Sequence, residues 1–188
     1  MTRGIAGRTE AVAPFRPVSS CIDLLKQGRV LLADLPDEVL NAYPFHRSRG
    51  HVGSHFRHCI DFFFCLERGF ACRRIDFDDR PRERRMEDDR KALIAGIERS
   101  IAWLESLSVE HLSVPLMVLV DRAEREDENG CWCESTLKRE LRFLVNHTIH
   151  HYALVGVMLE QQGFETPPGF GLAPSTMRFR RENPPGSR

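Results

Sequence analysis

Histidines gather in two short stretches of the chain, His51, His55 and His58 in one and His147, His150 and His151 in the other. Neutral imidazole is a common ligand of first-row divalent metals, and a set of three leaves coordination positions open for a substrate or water. On an α-helix, His147 and His151 stand one turn apart and project from the same face, the geometry in which two imidazoles share an ion. His55 and His58 are likewise neighbours on one face of their own helix, together with Phe62. Two facing helices can close such a site, so the pattern points to a divalent metal held by His147, His151 and a histidine of the earlier stretch. The plainer reading is that each ring satisfies a polar bond in the core or stands in water. His151 weighs against it, because it falls on the apolar stripe of its helix, where an unpartnered imidazole is costly.

Two other metal chemistries share parts of this pattern. His147-Thr-Ile-His-His151 is similar to the zincin signature, but Thr148 occupies the position where that chemistry needs a glutamate base. Cys131-Trp-Cys133 followed by His147 and His151 approaches the ligand order of a zinc finger. A single residue between the cysteines is fewer than the roughly two to four such a finger uses. The helix also continues for about three apolar turns beyond the second histidine.

Long helices are needed to position these residues. Ser19 or Ser20 caps a first helix running to about Ala33, with apolar residues from Ile22, Leu24 and Leu25 to Leu31, Leu32 and Leu35. Pro36 ends it, and a loop with a short helical turn follows as far as Gly50. The segment from Gly53 to Arg68 is too long an apolar run for one strand and reads as helix two, with Gly69 as its C-cap. Asp76 to Arg90 is dense in both signs of charge and reads as a solvated connection. Leu93, Ile94, Ile97, Ile101 and Leu104 mark helix three. Val114, Pro115, Val118 and Val120 suggest an extended piece, Glu128-Asn129-Gly130 a turn, and Cys131 to Glu134 a return strand. Ser135 then caps helix four, which ends at Gly163. Its inner stripe is Leu137, Leu141, Leu144, Thr148, His151, Val155 and Met158 or Leu159. The expected fold is all-α, an antiparallel four-helix bundle over residues 18–165 with a short β-hairpin before the last helix. Residues 1–17 and 166–188 read as a loose N-terminal extension and a loose C-terminal tail.

Three stretches in order, Gly53-Ser-His-Phe-Arg-His-Cys-Ile-Asp61, Ile75-Asp-Phe-Asp-Asp-Arg80 and Asn146-His-Thr-Ile-His-His-Tyr-Ala-Leu154, resemble the DinB-like superfamily of metal-dependent enzymes. The resemblance covers about Gly50 to Gly163. It implies a four-helix bundle whose metal is held by one histidine of helix two and two of helix four. Matched motif by motif, these are His58, His147 and His151, with His55, one turn earlier, as the alternative to His58. Relatives with a further histidine carry it where this chain has Phe62. The superfamily includes thiol-dependent S-transferases, and related domains occur in thiol-histidine synthases. The resemblance therefore implies a divalent ion (Zn²⁺, Ni²⁺ or Mn²⁺), a small-molecule substrate such as a low-molecular-weight thiol, and a homodimer.

An ion with open positions can hold a thiol as thiolate, or lower the pKa of bound water for hydrolysis. Asp61, three residues after His58, either accepts a bond from a ligand imidazole or faces solvent. Tyr152 is expected in the core and Arg57 in solvent. A second class of function is a non-catalytic bundle with structural histidines, or a metal-binding scaffold or sensor.

Bulk composition narrows the partners. Lys plus Arg and Asp plus Glu both total 27, so the net charge is zero and the basic excess typical of nucleic-acid binders is missing. With 41% hydrophobic and 29% charged residues, the 188-residue chain has the composition of one globular domain rather than of a disordered segment. No apolar run approaches a membrane span, and Met1 to Phe15 lacks the apolar core of a secretory signal, so a cytoplasmic protein without membrane contact is expected. In a reducing compartment Cys21, Cys59, Cys65, Cys72, Cys131 and Cys133 are expected as free thiols.

Overall fold

The computed structural model describes residues 16–47, 50–121 and 130–184. These are mostly helical, with a small three-stranded sheet. The elements are α1 (Arg16–Asp34), α2 (Asp37–Asn41), α3 (Val52–Cys72), β1 (Arg74–Ile75), α4 (Arg84–Asp88), α5 (Arg90–Glu105), a 3₁₀ turn at Glu110–Ser113, β2 (Pro115–Asp121), β3 (Cys131–Thr136), α6 (Leu137–Gln161) and α7 (Pro174–Glu182).

The four long helices are the expected ones, with different ends. α1 begins at Arg16 rather than after a Ser19 or Ser20 cap, and Ser19 Oγ donates to the Arg16 carbonyl. α3 runs past Gly69, and Arg73 takes the left-handed capping conformation at φ 62°. Gly69 is instead buried where β1 crosses the helix: a Cβ there would lie 2.6 Å from Ile75 Cγ1 and 2.7 Å from the Arg74 carbonyl oxygen. At the start of α6 the cap is Thr136 rather than Ser135: Thr136, the last residue of β3, accepts from the Arg139 amide through Oγ1 at 3.3 Å. The stripe of α6 buries Leu141, Leu144, Thr148, Tyr152 and Val155, which leaves His151 half-buried at its edge.

β2 and β3 form the expected hairpin, antiparallel from Pro115↔Thr136 to Asp121↔Cys131. The Glu128-Asn129 part of the predicted turn lies outside the described residues. β1 pairs with β2 in parallel through Arg74↔Met117 and Ile75↔Val118. Two residues are too few to show an alternation, so the sequence gives no sign of this strand.

α1 packs on α5 and α6, and α3 packs on the same two helices. Between them lies a core that includes Leu24, Leu25, Phe56, Phe63, Ile97 and Leu144. Helix directions follow from the side-chain pairs. His55 meets His151, His58 meets His147 and Phe62 meets Phe143, so α3 and α6 are antiparallel. Gly96 lies against Ile60, Arg99 bonds Glu67 and Trp103 meets Phe70, so α3 and α5 are parallel. Strict alternation, the plain antiparallel arrangement, therefore does not hold for that pair.

A parallel neighbour needs a connection that travels the length of the helices. Residues 73–89 supply it by running back along α3: Asp79 is bonded by Arg68, Phe77 stacks on Phe62 and Glu87 is bonded by Arg57. This stretch is solvated as expected, with no residue of 76–90 buried, and it also lies along α3 as a strap. No element was expected beyond Gly163, yet α7 forms there, and Phe170 stacks on Tyr152 with ring centroids 4.8 Å apart. No helix among the described residues is long and apolar enough to cross a membrane.

Candidate metal centre

The face of α3 that meets α6 presents His55, His58 and Phe62, and the facing turns of α6 present Phe143, His147 and His151. This follows from periodicity: residues three and four apart share a helical face. Three of these rings converge. One ring nitrogen from each of His58, His147 and His151 lies within 4.8 Å of the other two, and all three side chains are half-buried. Ring centroids are 4.5 Å apart for His58 and His151, 4.6 Å for His147 and His151, and 5.0 Å for His58 and His147.

Two properties of this cluster suit a cation. First, His147 Nε2 is buried and has no hydrogen-bond partner among the described residues. A polar atom left so in a folded protein costs free energy, and an ion would offset that cost. Second, burial pushes the imidazole pKa values down, to about 3 for His58, about 3 for His151 and about 4 for His147. Neighbouring histidines lower all three further, and the Arg80 guanidinium lowers His58 and His147. At neutral pH the rings are uncharged and offer lone pairs with no proton to displace. The donor set fits a divalent ion of the zinc, nickel or manganese kind.

His55 stands outside the three. Its Nδ1 is 2.9 Å from His151 Nδ1, so one nitrogen of the pair carries a proton and the other accepts it. When His151 donates, its Nε2 keeps a lone pair for a metal, the arrangement by which an outer partner fixes the tautomer of a ligand. His55, the helix-two alternative, is therefore a neighbour of the three convergent rings in this geometry.

Other singled-out residues take different places. Arg57, expected in solvent, is 13% exposed and bonds Asp61 Oδ2 at 2.8 Å and Glu87 Oε1 at 2.9 Å. Asp61 is buried on this ion pair, and no ring of the triad is bonded to it among the described residues. His51 is buried at the start of α3, with Nδ1 3.2 Å from the Leu40 carbonyl oxygen and Nε2 3.5 Å from the Glu87 carboxylate. His150 is exposed and Tyr152 is in the core, as expected for the tyrosine. Cys131 and Cys133 are exposed on β3 and belong to no group of three ligating side chains among the described residues. All six cysteines are free, with Cys21, Cys59 and Cys65 buried.

An aromatic wall closes one side of the triad. Phe62 lies 4.1 Å from the His147 ring, Phe77 stacks on Phe62 at 5.2 Å, and Phe143 meets both phenylalanines. Arg80 places its guanidinium 4.7 Å from the centre of the Phe62 ring. Phe77 and Arg80 both come from the strap and were not singled out as site residues. The sequence signal for them is the stretch Ile75 to Arg80, which carried part of the family resemblance without giving either residue a role. Size does not mark this site: a groove of about 610 Å³ lies beside Arg73 and Arg139, and one of about 690 Å³ beside Tyr152 and Phe164, neither lined by a triad residue.

The sequence profile of the DinB superfamily matches residues 27–155. The chain belongs to the DinB superfamily. The matched stretch holds all three triad histidines, His55 and the strap. The chain is also similar to FK506-binding protein 5 of Rhizopus delemar, 34% identical over 104 residues. That alignment covers 55% of this chain and 27% of the relative, so the chain spans about a quarter of the relative's length. No solved structure matches this DinB chain.

Proposed function

We propose that this DinB protein is a metal-dependent enzyme whose divalent ion is held by His58, His147 and His151, and that it transfers a small-molecule thiol. α1, α3, α5 and α6 are read as the superfamily's four-helix bundle, with the ion between α3 and α6. The observation that carries the reading is the convergence of three neutral imidazoles from two helices around the buried, unpaired Nε2 of His147. When bound, such an ion supplies a Lewis acid that holds a thiol as thiolate near neutral pH.

Thiol transfer is favoured over hydrolysis by the carboxylates. A hydrolytic centre needs a general base at the reacting water, but Thr148 stands where the zincin pattern has glutamate and Asp61 is bonded to Arg57. A thiolate needs no such base. The chain's own contribution is to hold three imidazoles in the neutral form, to orient His151 through His55, and to wall the centre with Phe62, Phe77 and Phe143. A non-catalytic bundle, or a scaffold or sensor, would keep the metal and lack turnover with thiols.

Metal content tests the reading. Protein purified without a polyhistidine tag and incubated with Zn²⁺, Ni²⁺ or Mn²⁺ is expected to hold one ion per chain by elemental mass spectrometry. His147→Ala is expected to lose it, while Cys131→Ser and Cys133→Ser keep it. A wild type that remains metal-free removes the enzyme reading, and loss in the cysteine variants alone would return the zinc finger.

A further inference from the structure

Among the described residues Arg80 forms no ion pair, although the Asp78 and Asp61 carboxylates are near enough to act on it through space. Its guanidinium lies over Phe62, whose ring also packs on His58 and, at 4.1 Å, on the triad histidine His147. Arg80 Nε is buried and has no hydrogen-bond partner among the described residues. Asp61, an acid of the same neighbourhood, is bonded to Arg57 instead. A half-buried guanidinium whose Nε has no acceptor loses part of its hydration, and the Phe62 face and distant carboxylates offset that loss only in part. The strap nevertheless holds it there, because Phe77, three residues earlier, is stacked on the same ring.

We propose that Arg80 is the anchor for a carboxylate carried by the substrate of the metal centre, so that the small-molecule thiol is an acid whose sulfur goes to the ion and whose carboxylate pairs with Arg80. The inference rests on the function proposed above and narrows its substrate class. Charge supports it. The triad is neutral, a divalent ion would add two positive charges and Arg80 a third, and no carboxylate belongs to the triad. Such a centre attracts an anion. Geometry supports it as well, since a planar fork of N–H donors fits a carboxylate with two parallel bonds. Phe62 beneath the guanidinium restricts its movement, so less freedom is lost when the pair forms.

Ligand binding to the cobalt(II)-loaded protein tests this without an activity assay. The probes are 3-mercaptopropionate and its neutral analogue 3-mercaptopropanamide, followed by thiolate-to-cobalt absorption. For wild type the acid is expected to bind at least about tenfold more tightly than the amide, the range of a charge-assisted hydrogen bond. Arg80→Gln is expected to erase that preference with cobalt content and melting temperature unchanged, and Arg80→Lys to retain part of it. Equal affinities in wild type, or a preference that survives in Arg80→Gln, would overturn the assignment of Arg80 while leaving the metal centre intact. Failure of the wild type to take up cobalt would overturn the centre itself, and Arg80 with it.

Discussion

At the scale of single residues, the centre depends on which nitrogen of His151 carries the proton. The 2.9 Å contact between His55 Nδ1 and His151 Nδ1 ties up one nitrogen and turns the other into the available donor. Outer partners of this kind change metal affinity by about ten- to a hundredfold when removed. His55→Ala is therefore expected to weaken zinc binding within that range, and His55→Asn, which can still accept from His151, to recover part of it. Competition with a chromophoric chelator measures both. Wild-type affinity in His55→Ala would mean that His151 needs no partner. The pair His147 and His151 was legible because helical periodicity converts a spacing of four into proximity. The choice between His55 and His58 was not legible from spacing, since both face α6 a turn apart. It is decided by how far one helix is displaced along the other, which no local signal encodes; the family motif was what favoured His58. Arg57 was opaque for a related reason: its partner Glu87 lies 30 residues later on the strap, and Asp61 is buried because Arg57, one turn before it, is held there.

Among the elements, the strap does what the sequence least suggests. Its charges read as solvated, yet Arg57 and Glu87 satisfy one another in a part-buried setting and fasten α4 to α3. The closeness of that crossing appears at Gly53, where a Cβ would collide with the Glu87 carbonyl oxygen. Backbone cannot swing aside as a flexible side chain can. Gly53→Ala should thus push α4 off α3, at a cost of about 1–3 kcal/mol, the usual range for overpacking. Urea unfolding of the metal-free protein reads this directly, and an unchanged midpoint would mean that the strap sits more loosely on α3 than the contact implies. The helices themselves were legible, because their apolar positions recur with helical spacing in runs long enough to read. β1 has two residues and α7 has a polar, arginine-rich sequence, so each owes its place to tertiary contacts or local backbone geometry rather than to a readable pattern.

For the molecule as a whole, the triad makes stability depend on pH and on metal together. Folded-state pKa values of about 3, 3 and 4 for His58, His151 and His147 lie below the ordinary value of 6.5. Above pH 6.5 neither the folded nor the unfolded chain protonates these rings. Between about 6.5 and 4 the unfolded chain takes up protons that the folded one refuses, so stability falls as pH falls. Below about 3 both states are protonated and the contribution is fully lost. The metal-free protein should therefore melt at progressively lower temperature from pH 6.5 towards pH 4. Other groups titrate in the same window, and a comparison with His58→Gln separates them: with one such ring removed, the slope of melting temperature against pH should be shallower. An ion that binds the folded chain alone adds stability at every pH where it stays bound, about 2.7 kcal/mol at a hundredfold excess over its dissociation constant. Metal-loaded protein should accordingly melt higher at pH 7 and lose that increment on acidification or chelation. Parallel slopes for wild type and His58→Gln would mean that His58 is protonated as readily in the fold as in water, and a ring so exposed to solvent would not be the buried donor on which the centre depends.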